Sequence, residues 1–178
     1  MKVRGDIEKA LHHLDRVIDV LPDDDPIQPH ALNTIGECRL VLDDHVGADA
    51  AFRTAADLLG EDGGLASAII TGNRADVAAR EGRLQDAIDL FATAREQCQK
   101  LGAEGHVARL MIESAEALEH SGLHEEAIAE LELALPKLEA ADLAFETARS
   151  RLAMGRLYLR SRRHELANEH LNAATLKF

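Results

Sequence analysis

Aromatic residues make up only 3% of the 178-residue chain, with one tyrosine, four phenylalanines and no tryptophan. Strand cores draw on aromatic and β-branched side chains, so this scarcity disfavours a sandwich or barrel; the alanine- and leucine-rich remainder suits closely packed helices. The two cysteines, Cys38 and Cys98, lie too far apart for a CxxC pair, which argues against a disulfide framework or zinc knuckle and leaves reduced, packed thiols. No run of eighteen uncharged apolar residues occurs, and Lys2, Arg4, Asp6, Glu8, Lys9, Asp15, Arg16 and Asp19 interrupt the first twenty positions where a signal peptide would need an apolar core. No membrane segment and a cytoplasmic location are therefore expected. Positive charge is short as well: 20 lysines and arginines face 32 acids, a net charge of −12. That balance repels phosphate backbones, so nucleic acid is not an expected partner.

Common catalytic signatures are missing too. No GxxxxGK[ST], GxGxxG, HExxH or GxSxG string is present, so neither an enzyme nor a bound cofactor is expected. Asp23, Asp24 and Asp25 lack the glycine and distal glutamate of a calcium loop and suit a solvated turn. His120 and His124 are four apart, with Glu116 four before His120, a spacing that would align three metal ligands on one continuous helix. Gly122 between the histidines breaks the helix, so no metal site is expected. His12 and His13 are adjacent, and their side chains would point about 100° apart on a helix.

What the chain does contain is a repeat. Residues 82–94, GRLQDAIDLFATA, reappear forty positions later as GLHEEAIAELELA. With Ala87 as anchor, Phe91 and Ala94 complete an i, i+4, i+7 set on one helix face. The same triplet recurs as Ala10/Leu14/Val17, Ala48/Phe52/Ala55, Ala127/Leu131/Ala134 and Ala167/Leu171/Ala174, at anchor spacings of 38, 39, 40 and 40. Five residues before the anchors stand Gly5, Asp43, Gly82, Gly122 and Arg162, placed in the turn before each helix, where glycine closes a helix through a left-handed residue. Twelve before stand Gly36, Ala75, Ala115 and Gly155, all small, so two backbones approach closely there. Eleven after stand Leu21, Leu59, Cys98, Leu138 and Phe178, all apolar.

A small residue, alanine twelve later, a bulky apolar residue at sixteen and alanine at nineteen resemble the tetratricopeptide repeat, a helix-turn-helix unit. Tyr158, nine before Ala167, also sits where that family favours tyrosine. The period of 38 to 40 exceeds the family's usual length and is similar to the repeats of bacterial signal-sensing regulators. The resemblance implies an all-α fold, a right-handed superhelix of stacked antiparallel helix pairs. Over 1–178 it gives a single repeat domain: a half repeat over 1–25, then repeats over about 29–63, 64–103, 104–142 and 143–178. Nine helices are expected near 5–21, 29–42, 46–60, 65–80, 84–101, 104–120, 124–140, 143–161 and 164–178. The proline-rich LPDDDPIQP, residues 21–29, and GEDGG, residues 60–64, mark the clearest breaks. The first repeat begins at its second helix and the last stops at Phe178 without a polar cap, so a piece of a longer protein is expected; the alternative is ends capped by self-association or a partner.

In the family this resembles, the first helix of each pair lines a concave groove for an extended peptide or a helix. By offset from the anchors, its inward positions here are Asn33 and Glu37; Asn73, Asp76 and Arg80; Arg109, Glu113, Glu116 and His120; and Arg149, Arg156 and Arg160. The expected function is a non-catalytic protein- or peptide-binding scaffold, a sensory or docking segment of a larger regulator; a receptor for a small signalling peptide and a self-assembly module through open solenoid ends are the alternatives. The family's clamp for a peptide carboxylate is not matched: Asn73 fits and Arg109 could replace a lysine, but Glu37 and Glu113 put negative charge where the carboxylate would sit. Charge is segregated along the chain. Residues 149–163 carry Arg149, Arg151, Arg156, Arg160, Arg162 and Arg163 with no acid, whereas residues 105–147 hold ten acids against Arg109 and Lys137. Planar guanidinium groups suit carboxylates. Two readings follow and both stay open: the arginines bind an acidic peptide or helix, or they pair with the protein's own acidic helices.

Overall fold

A computed structural model describes residues 2–22, 25–60 and 63–175, with side chains from Arg4 onward. The expectations placed on Asp23, Asp24, the middle of GEDGG and Phe178 lie outside the described residues. Nine helices are found among those described: α1 (Lys2–Val20), α2 (Gln28–Val41), α3 (His45–Leu59), α4 (Gly64–Arg80), α5 (Leu84–Lys100), α6 (Glu104–His120), α7 (His124–Ala140), α8 (Ala144–Arg160) and α9 (His164–Thr175). The expected boundaries hold to one residue, except that α1 starts three residues earlier and α9 is described only to Thr175.

The chain divides into two compact units, Met1–Gln97 and Cys98–Phe178. In the first, α2 packs on α1, α3 and α4, and α3 packs on α4. Leu40, Ala48, Phe52, Ala55, Ile70 and Val77 form its core, with Leu32 and Leu59 at the edge. In the second, α6 pairs with α7 and α8 with α9, while α8 also packs on α7 and α6. Both units use the small-residue register expected from the repeat. Ala48, Ala87, Ala127 and Ala167 are each 0% exposed, and Phe52, Phe91 and Leu131 are fully buried. Burying a side chain of that size contributes roughly 1.5 to 3 kcal/mol. The first copy is weaker: Ala10 and Leu14 are half-buried and Val17 is exposed.

The small residue on the preceding helix faces the bulky residue of the next. A Cβ added at Gly36 would stand 2.7 Å from Cδ1 and Cζ of the Phe52 ring, and one added at Gly155 would stand 2.6 Å from Leu171 Cδ2. Close approach of the next helix's bulky side chain is thus the reason for glycine at both positions.

Turn chemistry repeats as regularly. Asp43 (φ 62), Gly82 (φ 77), Gly122 (φ 80) and Arg162 (φ 58) are all left-handed, as expected five residues before an anchor. Each is followed by an amide that bonds the carbonyl five residues back: Asp44 to Arg39 at 2.9 Å, Arg83 to Ala78 at 2.9 Å, Leu123 to Leu118 at 2.9 Å and Arg163 to Tyr158 at 2.8 Å. This closure satisfies two otherwise orphaned carbonyls at each helix end. The same geometry closes α5 at Gly102 (φ 66) and α7 at Asp142 (φ 53), turns the repeat register did not single out. Gly5 departs from the expectation: it lies inside α1, not in a turn, and has open space where its Cβ would be. Pro136 sits within α7 on its exposed side, where water can satisfy the carbonyl it leaves without an amide.

Candidate partner-binding surface

The expected site residues fall in both units. In the first unit, Asn73 on α4 donates to Asn33 Oδ1 on α2 at 2.8 Å, and Asn33 donates to Glu37 Oε1 at 2.8 Å. The two helices thus share one hydrogen-bonded chain ending on a carboxylate. Arg80 is held along α4 by Asp76, Nε to Oδ2, at 3.0 Å.

In the second unit the pairs run across α6 and α8. Arg109 on α6 meets Glu146 at 2.8 Å. Arg149 on α8 forks onto Glu116, with Nη2 at 2.7 and 2.6 Å from its two oxygens and Nε at 3.1 Å. Glu119, whose side chain is only 10% exposed, lies 3.3 Å from Arg156 and 3.9 Å from Arg160. The segregated charges of the sequence are therefore brought together. All seven expected site residues have partners within the protein, which accounts for part of the arginine cluster as internal pairing. Yet the guanidinium groups are not used up. Arg109, Arg149, Arg156 and Arg160 keep 49%, 45%, 57% and 57% of their side-chain surface exposed, and each carries five N–H donors. Arg156 commits one of these to Glu119. The carboxylates beneath fix the arginines in place while their outer edges face water.

The remaining arginines face elsewhere. Arg151 pairs with Glu139 at 2.6 Å, and Arg163 forks onto Glu125 at 2.7 Å to each oxygen. Arg163 also lies 5.9 Å from the centre of the Tyr158 ring, which stacks on His170 at 5.4 Å. Tyr158 donates to Glu132 at 2.7 Å; burial, reinforced by that bond, pushes its pKa up to about 12. Burial, helped by the charge of Arg151, pushes His170 down. The repeat register marked Tyr158, but no local signal tied it to Glu132 or His170.

The histidine spacing behaves as expected from Gly122. His120 ends α6 and His124 begins α7, and His120 Nδ1 donates to the Glu116 carbonyl at 2.7 Å. Burial raises the pKa of both Cys98 and Cys38, the latter helped by Glu37, so both favour the thiol form. In the first unit a cleft of about 470 Å³, lined by Asp15, Ile18, Asp19, Leu32, Ile35 and Arg39 among others, opens between α1, α2 and α3. Sequence periodicity gave no sign of it.

Paired helices with a glycine packed under a bulky side chain at the α2–α3 and α8–α9 crossings, and a left-handed residue at each hairpin turn among the described residues, define a helical-repeat protein. Residues 64–140 match the tetratricopeptide repeat family model, and the resemblance read from the repeat stands. No curated protein matches the sequence. Among solved structures, BtubC (BKLC) from P. vanneervenii is similar at 17% identity and a TM-score of 0.79, covering 99% of this chain and 74% of that one. A Rap protein complexed with competence and sporulation factor is similar at 12% identity and a TM-score of 0.87, over 97% of this chain and 49% of that one. A signal transduction ATPase with a tetratricopeptide repeat sensor, from Pyrococcus horikoshii, is similar at 15% identity and a TM-score of 0.80, over 98% of this chain and 27% of that one. At these identities the likeness is one of fold, and the chain spans half or less of the last two proteins.

Proposed function

We propose that the protein is a non-catalytic scaffold that binds an acidic protein or peptide through the arginine-bearing faces of α6 and α8, as a sensory or docking segment of a larger cytoplasmic regulator. The observation that carries this reading is the row Arg109, Arg149, Arg156 and Arg160, anchored from below by Glu146, Glu116 and Glu119 and roughly half exposed. A guanidinium oriented in advance loses less side-chain freedom on binding than a free one. Asn33, Asn73 and Arg80 on α2 and α4 supply a second polar surface for the same class of partner. The repeat boundaries given above are part of the proposal, as is the absence of a nucleic-acid partner. No helix among the described residues is long and apolar enough to cross a membrane.

A receptor for a small signalling peptide is the second reading, supported by the likeness to a Rap protein whose structure holds competence and sporulation factor. Titrating a fluorescein-labelled peptide rich in glutamate and leucine against wild type and Arg156→Glu separates the outcomes. Binding should weaken by about tenfold, or 1.4 kcal/mol, in the variant and should fall steeply with salt. Equal affinity for both proteins would remove α8 from the site.

A further inference from the structure

The repeat sets the same three positions together once within each unit. In the second unit they are Glu132 of α7, five after its anchor, and Tyr158 of α8 and His170 of α9, nine before and three after theirs; in the first unit they are Asp15 of α1, Arg39 of α2 and Ala51 of α3. The second unit fills this place. The Tyr158 and His170 rings stack at 5.4 Å, Tyr158 is buried, and its hydroxyl donates to Glu132 at 2.7 Å. In the first unit the three equivalent residues instead line the open cleft of about 470 Å³. Ala51 supplies no ring, and Arg39 turns to the start of α3, where its Nη1 donates to the Gly47 carbonyl at 3.0 Å. Asp15 thus lacks a counterpart to the Tyr158 hydroxyl. Among the described residues neither it nor Asp19, which lines the same cleft, takes part in a hydrogen bond or ion pair.

The other differences between the two places run in one direction. Leu32 stands where α8 has Arg151, so the floor it forms with Ile18 and Ile35 is apolar. Asp19 stands where α7 has Pro136, which adds a second carboxylate one turn after Asp15. Arg39, the cation of the lining, already faces Asp44 at 4.0 Å, so the two unanswered carboxylates set the charge of the cleft. A helix on the far side of α1 does not bear on this space. In the second unit α6 precedes α7 in that way, and among the described residues it packs on α7 and α8 but not on α9. The cleft is therefore a property of α1, α2 and α3, whatever precedes them.

We infer that this cleft binds a small aromatic amine: a flat ring seated on Ile18, Leu32 and Ile35, in the space that the Tyr158 and His170 rings take up in the second unit, with a protonated amine on a short arm held by Asp15 and Asp19. The volume suits a ligand of that size, since small-molecule sites run from about 300 to 1,000 Å³. Carboxylates four residues apart share one side of a helix, and an ammonium group brings three donors to them. A guanidinium packs on aromatic faces, as Arg163 does 5.9 Å from the centre of the Tyr158 ring, which gives Arg39 a part in seating the ligand ring. An anionic ligand would meet the two aspartates as like charges, and an aliphatic amine would leave the apolar floor in water. This site lies on other helices than the arginine face of α6 and α8 and takes the opposite charge, so either reading stands or falls without the other.

Tryptamine is the probe, because the chain has no tryptophan and indole emission then reports the ligand alone. The full chain is titrated into tryptamine, and competition is measured with indole-3-propionate, which keeps the ring and reverses the charge, and with propylamine, which keeps the amine and lacks the ring. Tryptamine should shift its emission to the blue and bind with a Kd below about 1 mM, and each competitor should be at least about tenfold weaker. Asp15→Asn combined with Asp19→Asn should lose about tenfold in affinity. Ala51→His, which restores a ring of the filled copy, should abolish binding. Circular dichroism melts check the fold, and because Asp15 and Asp19 are exposed, the paired asparagine variant decides the matter even if Ala51→His is unstable. No emission shift at about 10 mM tryptamine would overturn the inference. Equal competition by propylamine would reduce the effect to attraction of any amine by a chain of net charge −12, and equal competition by indole-3-propionate or undiminished binding by the asparagine variant would take the aspartates out of the site; each of these results would overturn it too.

Discussion

Replacing Gly36 with alanine sets two effects of known size against each other. Alanine within a helix is favoured over glycine by roughly 0.8 to 1 kcal/mol. Against that, the new methyl would stand 2.7 Å from two carbons of the Phe52 ring, and Phe52 is 0% exposed and enclosed by Leu40, Ala48 and Ile70 of the same core cluster. The ring cannot move aside without displacing that cluster, and overpacking of this kind costs about 1 to 3 kcal/mol. The same register pairs Ala75 with Phe91 in the next repeat, so a small backbone shift can admit the methyl and the lower half of that range applies. The net expectation is a loss of about 0.5 kcal/mol in urea denaturation, the difference between about 1 to 2 and 0.8 to 1 kcal/mol. Two companions sharpen it. Gly5→Ala, where the methyl meets open space, should gain about 0.5 to 1 kcal/mol from the same propensity term. Gly36→Ala combined with Phe52→Leu recreates the Ala115/Leu131 combination found forty residues apart from Ala75/Phe91, and should show a favourable coupling of about 1 kcal/mol in a double-mutant cycle. If Gly36→Ala stabilises as much as Gly5→Ala, with no coupling to Phe52, close approach at the crossing is not the reason for the glycine.

Other outcomes follow from single features. Arg162 holds φ at 58°, a conformation that costs an L residue roughly 1 kcal/mol, so Arg162→Gly should raise stability by about 0.5 to 1 kcal/mol in the same denaturation assay. The Tyr158 pKa is raised from 10 to about 12, so its contribution is complete below pH 10 and is lost as pH rises toward 12. A melting series over that range should reveal a loss on the order of 2 kcal/mol that Tyr158→Phe abolishes. His170 is shifted in the opposite sense, downward from 6.5. The unfolded chain then takes up its proton more readily, and stability should decline as pH falls below 6.5, with a shallower decline in His170→Leu. An unchanged slope would place the acid sensitivity on other groups.

The parts of this structure legible in the sequence are those set by spacing along a single helix or turn. Ala48, Ala87, Ala127 and Ala167 announce themselves by period, and so do the left-handed positions Asp43, Gly82, Gly122 and Arg162. Helix ends followed from the same frame to a residue because each hairpin turn repeats one closing geometry. Gly5 failed because position in the register does not determine conformation: with helix continuing on its N-terminal side, the glycine simply stays helical. Gly102 and Asp142 lie in the turns between repeats, which the hairpin register does not mark. Pairs across helices were not legible at all. Arg149 and Glu116, or Tyr158 and Glu132, are brought together only when neighbouring helices settle into register, so composition could show the segregated charge but not its pairing. Exposure of Phe145, Leu152 and Leu159 was hidden for a related reason. Their seven-residue spacing resembles that of a buried face, and which face α8 buries depends on the helices packed against it.

Burial of the four anchor alanines is the claim from which helix pairing, turn placement and the α8 face all descend, and thiol labelling tests it directly. Ala48→Cys, Ala87→Cys, Ala127→Cys and Ala167→Cys, made singly with Cys38→Ser and with Leu133→Cys as an exposed control, are timed against an aromatic disulfide reagent in native buffer. The account predicts that all four anchor thiols react at least about a hundredfold slower than the thiol at 133, since reaction must await local opening. Labelling of any anchor at the rate of position 133 would contradict it.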